Sequence, residues 1–355
     1  MHFPRRRGIM IVSEVRHGMF LSIIVPVYNG ARYLGSCLDS LLEQDIEDYE
    51  ILCVDDGSTD GSAGIADGYA QAHGNVRVIH QENAGVCAAR NAGAAAARGD
   101  YIWFVDCDDL LAPNCLAALR AQALKTHCDR LTLGAYQFTD ELTQEETAHA
   151  REGSLPSNAP WYDSVVWRSL LRRDFLTSHG LTFCHPGLTH GEDGLYMYEL
   201  TQCCPRDAGT DAVVYFYRVH SGSAETAAGT AGLKKRIHSH IRIVRILLDC
   251  YRGGRQNAAT ADKLMSFLWL SLYELAHLSA AEAGTDLAEL KQAGLFPFQR
   301  LPECTIRRSY MSGLSGSAER LFDLVYLHLN TRLGFAAMRL LLRLKALVQS
   351  LRRGA

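Results

Sequence analysis

Four short apolar runs, LSIIVPVY (21–28), YEILCVDD (49–56), VRVIH (76–80) and YIWFVD (101–106), recur with helix-like stretches between them. Continuous runs of this length read as strands buried on both faces. After the first, Leu34, Leu38, Leu41 and Leu42 fall on one helical face. After the second, the turn GSTDGS opens a helical run through Tyr69, with Ser58, Thr59 and Asp60 as its capping candidates. After the third, GVCAARNAGAAAARG (85–99) reads as an alanine-rich helix closed by Gly99. Strands alternating with helices imply right-handed crossovers and a largely parallel sheet covered on both sides.

In such a sheet, ligands bind beyond the carboxyl ends of the strands. Asn29, Asp55, Asp56, Asn83 and Asp106 all fall at those ends, so they are expected to converge on one crevice for a nucleotide-type ligand. The fourth run is the sharpest case, because it ends in Asp106, Asp108 and Asp109 with only Cys107 between them. Neighbouring carboxylates raise one another's pKa unless a positive charge sits nearby. The cluster therefore either caps the following stretch, LLAPNCLAAL, in water or holds a cation.

From about 127 the pattern changes. LTLGAYQF (131–138) and AVVYFYRV (212–219) read as strands, the acidic segment 139–160 as loop, and WYDSVVWRSLLRRDFL (161–176) and HGEDGLYMYEL (190–200) as helices. Beyond 229 only helical patterns remain, at 231–252, 258–282 and 317–352, which places a boundary near 228. The expected division is therefore a 19–228 α/β domain and a 229–355 helical region. Residues 1–18 are expected to be disordered or an artefact of the start site, since the folded pattern begins right after Met19.

A chain of 355 residues, 48% hydrophobic and 21% charged, can bury an ample core. Its net charge of −3 conceals basic ends on an acidic body. Arg5, Arg6, Arg7 and Arg16 lie near the start, and Arg332, Arg339, Arg343, Lys345, Arg352 and Arg353 near the end. An acidic body excludes a general nucleic-acid binder. The 11 cysteines include no CxxC pair, which fits reduced thiols in a cytosolic compartment. No apolar run reaches the ~18 residues of a membrane span. Residues 332–353 form an amphipathic helix with arginines on one side and leucines on the other, expected to touch an anionic membrane surface or to pack on protein, including a second copy.

PVYN, VDDGSTDGS, NAGVCAARNAG, GDYIWFVDCDD and GED, in this order, resemble the family 2 glycosyltransferases of GT-A fold over roughly 20–220. The resemblance implies a Rossmann-like, mostly parallel sheet flanked by helices, followed by a helical C-terminal region. It implies an inverting enzyme that moves a single sugar from a UDP-sugar to a hydroxyl of a glycan or lipid-linked acceptor in cell-surface polysaccharide assembly. Breaking the bond between sugar and diphosphate places negative charge on the leaving group, which calls for a cation. Mn²⁺ or Mg²⁺ suits it, since such ions bind phosphates with one or two protein carboxylates.

By the same resemblance, Asp108 is the metal ligand, with Asp106 and His220 as further ligand candidates. Asp106 also contacts the ribose, and Asp109 orders the turn. Pro26, Tyr28, Asn29, Asp55, Asp56, Asn83, Arg90 and His220 line the donor site, Asp56 by accepting the uracil N3–H. Asp193 is the base, and Arg218 shares with His220 the candidacy for closing over the diphosphate. Trp161 and Trp167 are either acceptor platforms or core. A cytoplasmic enzyme peripheral on the inner membrane face is expected. The missing QxxRW motif argues against a processive synthase, and PVYNGARYL lacks both the phosphate loop of a nucleotidyltransferase and the GxGxxG of a nicotinamide dehydrogenase. A sugar-nucleotide-binding scaffold without activity would require a broken metal or base site.

Overall fold

The computed structural model describes residues 18–157, 165–185, 187–220 and 230–275, together with Leu278, Ala288, Leu290 and Gln292. The amphipathic stretch 332–353, the segment before Gly18, Trp161 and the boundary near 228 lie outside the described residues.

The first four runs form β1 (Leu21–Val27), β2 (Tyr49–Asp55), β3 (Val76–His80) and β4 (Tyr101–Phe104). They alternate with α1 (Ala31–Leu42), α2 (Ser62–Ala72) and α3 (Val86–Ala96) as expected. β1 pairs in parallel with both β2 and β4, and β2 with β3. Alternation in β1 sets the two cores. Leu21, Ile23, Val25 and Val27 join the face carrying Leu34, Leu38 and Leu41 of α1. Ile24 joins Leu52, Val54 and Phe104 beneath Cys87 and Ala89 of α3.

Pro26 is buried in this central strand and has no N–H to donate. It lies two residues beyond Ile24, where β1–β4 pairing has ended, so no ladder bond is lost.

From β4 outward the sheet is mixed. β5 (Leu110–Leu111), α4 (Leu116–Thr126), β6 (Arg130–Thr139), α5 (Gln144–Glu152), β7 (Ser169–Arg172), α6 (Arg173–Ser178), α7 (Glu192–Gln202) and β8 (Asp207–Val219) follow in chain order. The eight strands lie in the order β3-β2-β1-β4-β7-β6-β8-β5. β6 and β8 are parallel, whereas β7 runs antiparallel to β4 and β6, and β5 antiparallel to β8.

Two expectations fail here. The stretch 161–176 is not one helix: its described part is a 3-10 turn at Val166–Arg168, then β7, then α6. Leu170 and Leu171 point into opposite cores, as strand neighbours must. The acidic segment is not all loop, since α5 begins at a capping box between Thr143 and Glu146.

α8 (Thr230–Arg252) and α9 (Ala258–Leu275) pack on α7 through a third core holding Leu195, Tyr198, Ile241, Val244, Leu264 and Leu268. Tyr198 and Thr260 share a 2.7 Å hydroxyl contact, and Glu274 of α9 binds Arg236 and His240 of α8 at 3.1 and 2.9 Å. α7 is therefore gripped from both sides, because Tyr196, Met197 and Leu200 enter the sheet core.

Tight packing of α3 on the sheet rests on Gly93, where a Cβ would fall 2.3 Å from Ile24 Cγ2. Gly93→Ala is expected to lower stability by about 1–3 kcal/mol through overpacking, read as a reduced urea midpoint at unchanged slope.

Candidate active site

The carboxyl ends of β1, β2, β4 and β8 and the start of α7 gather the expected residues at one edge of the sheet. Two turns are knitted together first. Asn29, at φ 52°, accepts the Thr59 amide at 2.8 Å and donates its own amide to Ser58 Oγ at 3.1 Å. Asp60 accepts from Ala31 N at 3.0 Å and from Ser62 N at 3.1 Å, so one carboxylate satisfies the first amide of both α1 and α2. Gly30 lies against the acidic turn, for a Cβ there would sit 2.7 Å from Cys107 Sγ. Tyr28 stands 54% exposed above these turns.

The paired aspartates at the carboxyl end of β2 are buried and engaged. Asp55 accepts from Ser58 N at 3.1 Å and lies 3.1 Å from His80 Nδ1, whose other nitrogen is 3.0 Å from Asp67. Burial raises the Asp55 pKa, but the hydrogen bonds from Ser58 and His80 outweigh it and hold the group below its ordinary value. Asp56 accepts from Gln81 Nε2 at 2.7 Å, Ala84 N at 2.9 Å and Gly85 N at 2.8 Å, anchoring the entry to α3. Asn83 is exposed at the tip of this loop. Gly57, at φ 73°, lets the Asn83 amide approach to 3.0 Å from where a Cβ would be.

In the acidic turn the three aspartates divide. Asp109 is fully buried and accepts the Tyr215 hydroxyl at 2.6 Å and the Arg218 amide at 2.7 Å. Tyr215 in turn accepts the Asp106 amide at 3.2 Å, so one phenol fixes both ends of the turn. Burial drives the Asp109 pKa well above its ordinary value, with Asp108 and Asp106 adding repulsion. Asp106 and Asp108 keep side chains 30% and 29% exposed. The turn does not cap the next helix, because β5 intervenes before α4 begins at Leu116.

His220 places Nε2 2.9 Å from Asp108 Oδ2, and its ring rests on Tyr33 at 4.4 Å. Arg218 is buried instead of reaching outward: its guanidinium donates to the Asp108 carbonyl at 2.6 Å and to the Asp140 carbonyl, sandwiched between Tyr33 and Phe138. Trp167 is core, stacked on Tyr215 at 4.4 Å.

Arg90 also departs from expectation. It does not open toward an anion but lies 3% exposed beneath three carboxylates. It donates to Asp193 Oδ1 at 2.5 Å, Glu192 Oε1 at 3.0 Å and Asp106 Oδ1 at 3.1 Å, with its guanidinium 5.2 Å over the Phe183 ring. Burial pushes the Asp193 pKa up to about 7, against the pull of Arg90 and with the help of the Glu192 and Asp106 charges. Asp106 is raised in the same way, by burial first. Asp193 Oδ2 accepts one further bond, from Val166 N at 3.3 Å.

The site thus offers two half-open carboxylates and an imidazole on one side, and a carboxylate titrating near neutrality on the other. Asp108 and His220 fit a hard divalent ion that keeps most of its ligands for water or phosphate. Asp106 is turned toward Arg90. Tyr33, Tyr215 and Phe183 carry the site's geometry but were not singled out from the sequence. Only the alternation of YFYR in β8 hinted that Tyr215 and Tyr217 share a face.

The model of the glycosyl transferase family 2 matches residues 22–188. The uncharacterized glycosyltransferase YibD of Escherichia coli (strain K12) is 32% identical over 262 residues, covering 70% of this chain and 74% of that protein. The uncharacterized glycosyltransferase EpsJ of Bacillus subtilis (strain 168) is 34% identical over 217 residues, covering 57% of this chain and 62% of that protein, less than two thirds of its length. Among solved structures, S. aureus TarS 1–349 in complex with UDP-GlcNAc shares the fold with a TM-score of 0.63 at 20% identity, over 95% of this chain and 92% of that one. The motifs, the sheet order and these relatives agree: the chain belongs to the family 2 glycosyltransferases.

Proposed function

We propose that this chain is a metal-dependent, inverting glycosyltransferase that moves one sugar from a UDP-sugar to a hydroxyl of a glycan or lipid-linked acceptor in cell-surface polysaccharide assembly. The observation that carries this reading is the position of Asp193, buried, titrating near 7 and tied through Arg90 to the turn that bears Asp108. The TarS fragment of like fold was solved with UDP-GlcNAc, which supports a uridine donor.

Asp108 and His220 would hold Mn²⁺ or Mg²⁺, with Asp106 beside them. Bound there, the ion would offset the charge gained by the departing diphosphate. Tyr28 supplies an exposed ring at the donor edge, and Asn29 and Asn83 border the same opening. Asp56 faces the nucleotide base; Oδ2 has a single protein donor, which leaves it capacity for the N3–H of uracil. Asp193 takes the proton of the acceptor hydroxyl as that oxygen bonds to the anomeric carbon, and the electron pair of the broken bond leaves with the diphosphate. Arg90 is a positioning residue, since it holds Asp193 and Asp106 in one frame without reaching the crevice.

Asp193→Asn is expected to lower kcat by about 10²–10⁴ while calorimetric binding of the UDP-sugar with Mn²⁺ is retained. Asp108→Asn is expected to abolish the Mn²⁺ dependence of that binding; binding that stays equally Mn²⁺-dependent would reject Asp108 as the ligand.

A base must be deprotonated to act, so activity should rise with pH through about 7 and be lost below it. Arg90→Gln should move that midpoint upward, because the cation that favours the ionised carboxylate is gone. It should also cost about 3–5 kcal/mol of stability by leaving buried charge uncompensated. A purely structural Arg90 would alter stability and leave the midpoint in place.

A further inference from the structure

A second group of ligating side chains lies away from the acidic turn. Cys184, His185 and Glu199 bring a thiol, an imidazole nitrogen and a carboxylate oxygen within 4.8 Å of one another, the one such group of three among the described residues. His185 Nε2 is 3.1 Å from Glu199 Oε1, and Cys184 Sγ is 3.9 and 3.8 Å from the two Glu199 oxygens. Zinc bonds of about 2.0 Å to N and O and about 2.3 Å to S, at tetrahedral angles, separate N from O by about 3.3 Å and S from O by about 3.5 Å. The observed N–O and S–O spacings lie within a few tenths of an ångström of these values, and the thiol and imidazole ligand atoms lie within 4.8 Å of each other.

The scaffold beneath the group is fixed. Asn91 of α3 binds both backbone groups of Phe183, donating to its carbonyl at 2.9 Å and accepting its amide at 2.9 Å. Phe183 stacks on Tyr196 at 4.1 Å, and Leu188 is buried against α8 and α9. The segment holding Cys184 and His185 is thus pinned at either end, and Glu199 rises from the doubly gripped α7. A cavity adjoins the group, lined by Cys87, Thr182, Phe183, Glu192 and Tyr196 as well as the three ligands. Glu192 and Glu199 stand two turns apart on one face of α7, about 10 Å along its axis.

We propose that Cys184, His185 and Glu199 bind one Zn²⁺ ion, distinct from the donor-site metal, with its fourth position open to water on the cavity side. The thiolate and imidazole select a borderline-soft ion over Mg²⁺ or Mn²⁺. Binding transfers the Cys184 thiol proton to solvent, so affinity rises with pH. The ion cross-links Cys184 and His185 to the C-terminal half of α7, about two turns beyond Glu192. This inference does not depend on the proposed donor, acceptor or reaction.

The test uses the full chain, stripped of metal by chelation and titrated with Co²⁺ as a spectroscopic substitute. One equivalent should produce a near-ultraviolet thiolate-to-cobalt charge-transfer band that Zn²⁺ then abolishes. The band should vanish in Cys184→Ser, and Zn²⁺ affinity by chelator competition should fall at least about a hundredfold in His185→Ala and Glu199→Gln. It should persist in Asp108→Asn, which disrupts the donor-side carboxylate alone. Folding is checked in each case by circular dichroism. No band in folded wild-type protein, a full band in Cys184→Ser, or its loss in Asp108→Asn would each overturn the assignment.

Discussion

One buried guanidinium holds the two halves of this molecule in register. Arg90 comes from α3 in the parallel half, Asp106 from the end of β4, and Glu192 and Asp193 from α7 in the half built around mixed strands and helices. A buried ion pair gives little net stability over an apolar replacement, but it is strict about geometry, since removing a partner leaves charge without compensation. Three carboxylates against one arginine leave the cluster over-supplied with negative charge. Burial first, and that excess of negative charge second, raise the pKa of Asp106 and Asp193, and of Asp109 behind them.

Stability cannot be the reason for such an arrangement. An apolar plug between α3 and α7 would fix the same elements at lower electrostatic cost. The acids stay where they are because the sheet edge opens toward them: Asp106 and Asp108 remain about a third exposed although their neighbour Asp109 is sealed by Tyr215 and Arg218. The turn divides its charges by alternation and by one phenol, so that one carboxylate orders the loop and two face the crevice.

The parallel half was legible because its signals are local. Buried runs, the turns after them and the acids at their carboxyl ends all sit within a few residues of one another in the sequence. What escaped was set by pairing at long range. Leu170 and Leu171 become a strand only because β4 and β6 flank them, and a two-leucine run has no period of its own. The segment 139–160 reads as loop from its acidic composition, whereas the capping box between Thr143 and Glu146 starts α5 within it. Arg90 and Arg218 illustrate the harder limit. A sequence places a cation near an anion-binding loop, but whether it points out to a ligand or in to buried carboxylates and carbonyls is decided by residues about 100 positions away.

The doubly packed α7 explains how a helix carrying two acids at its first turn keeps them in place. Its N-cap, Gly191 at φ 77°, offers no side chain to the first turn, yet Glu192 and Asp193 there satisfy the helix dipole. Gly191 and Gly194 also admit the Phe267 ring of α9, which would meet a Cβ at 2.7 and 3.0 Å respectively. The helical region therefore acts directly on the site: α9 presses on the turn that bears Asp193, while the sheet core holds the opposite face through Tyr196 and Met197. A helix fixed on both sides and ionically tied at its N-terminus has little freedom to slide. The separation between Asp193 and the Asp108 turn is then set by the fold itself, before any ligand arrives.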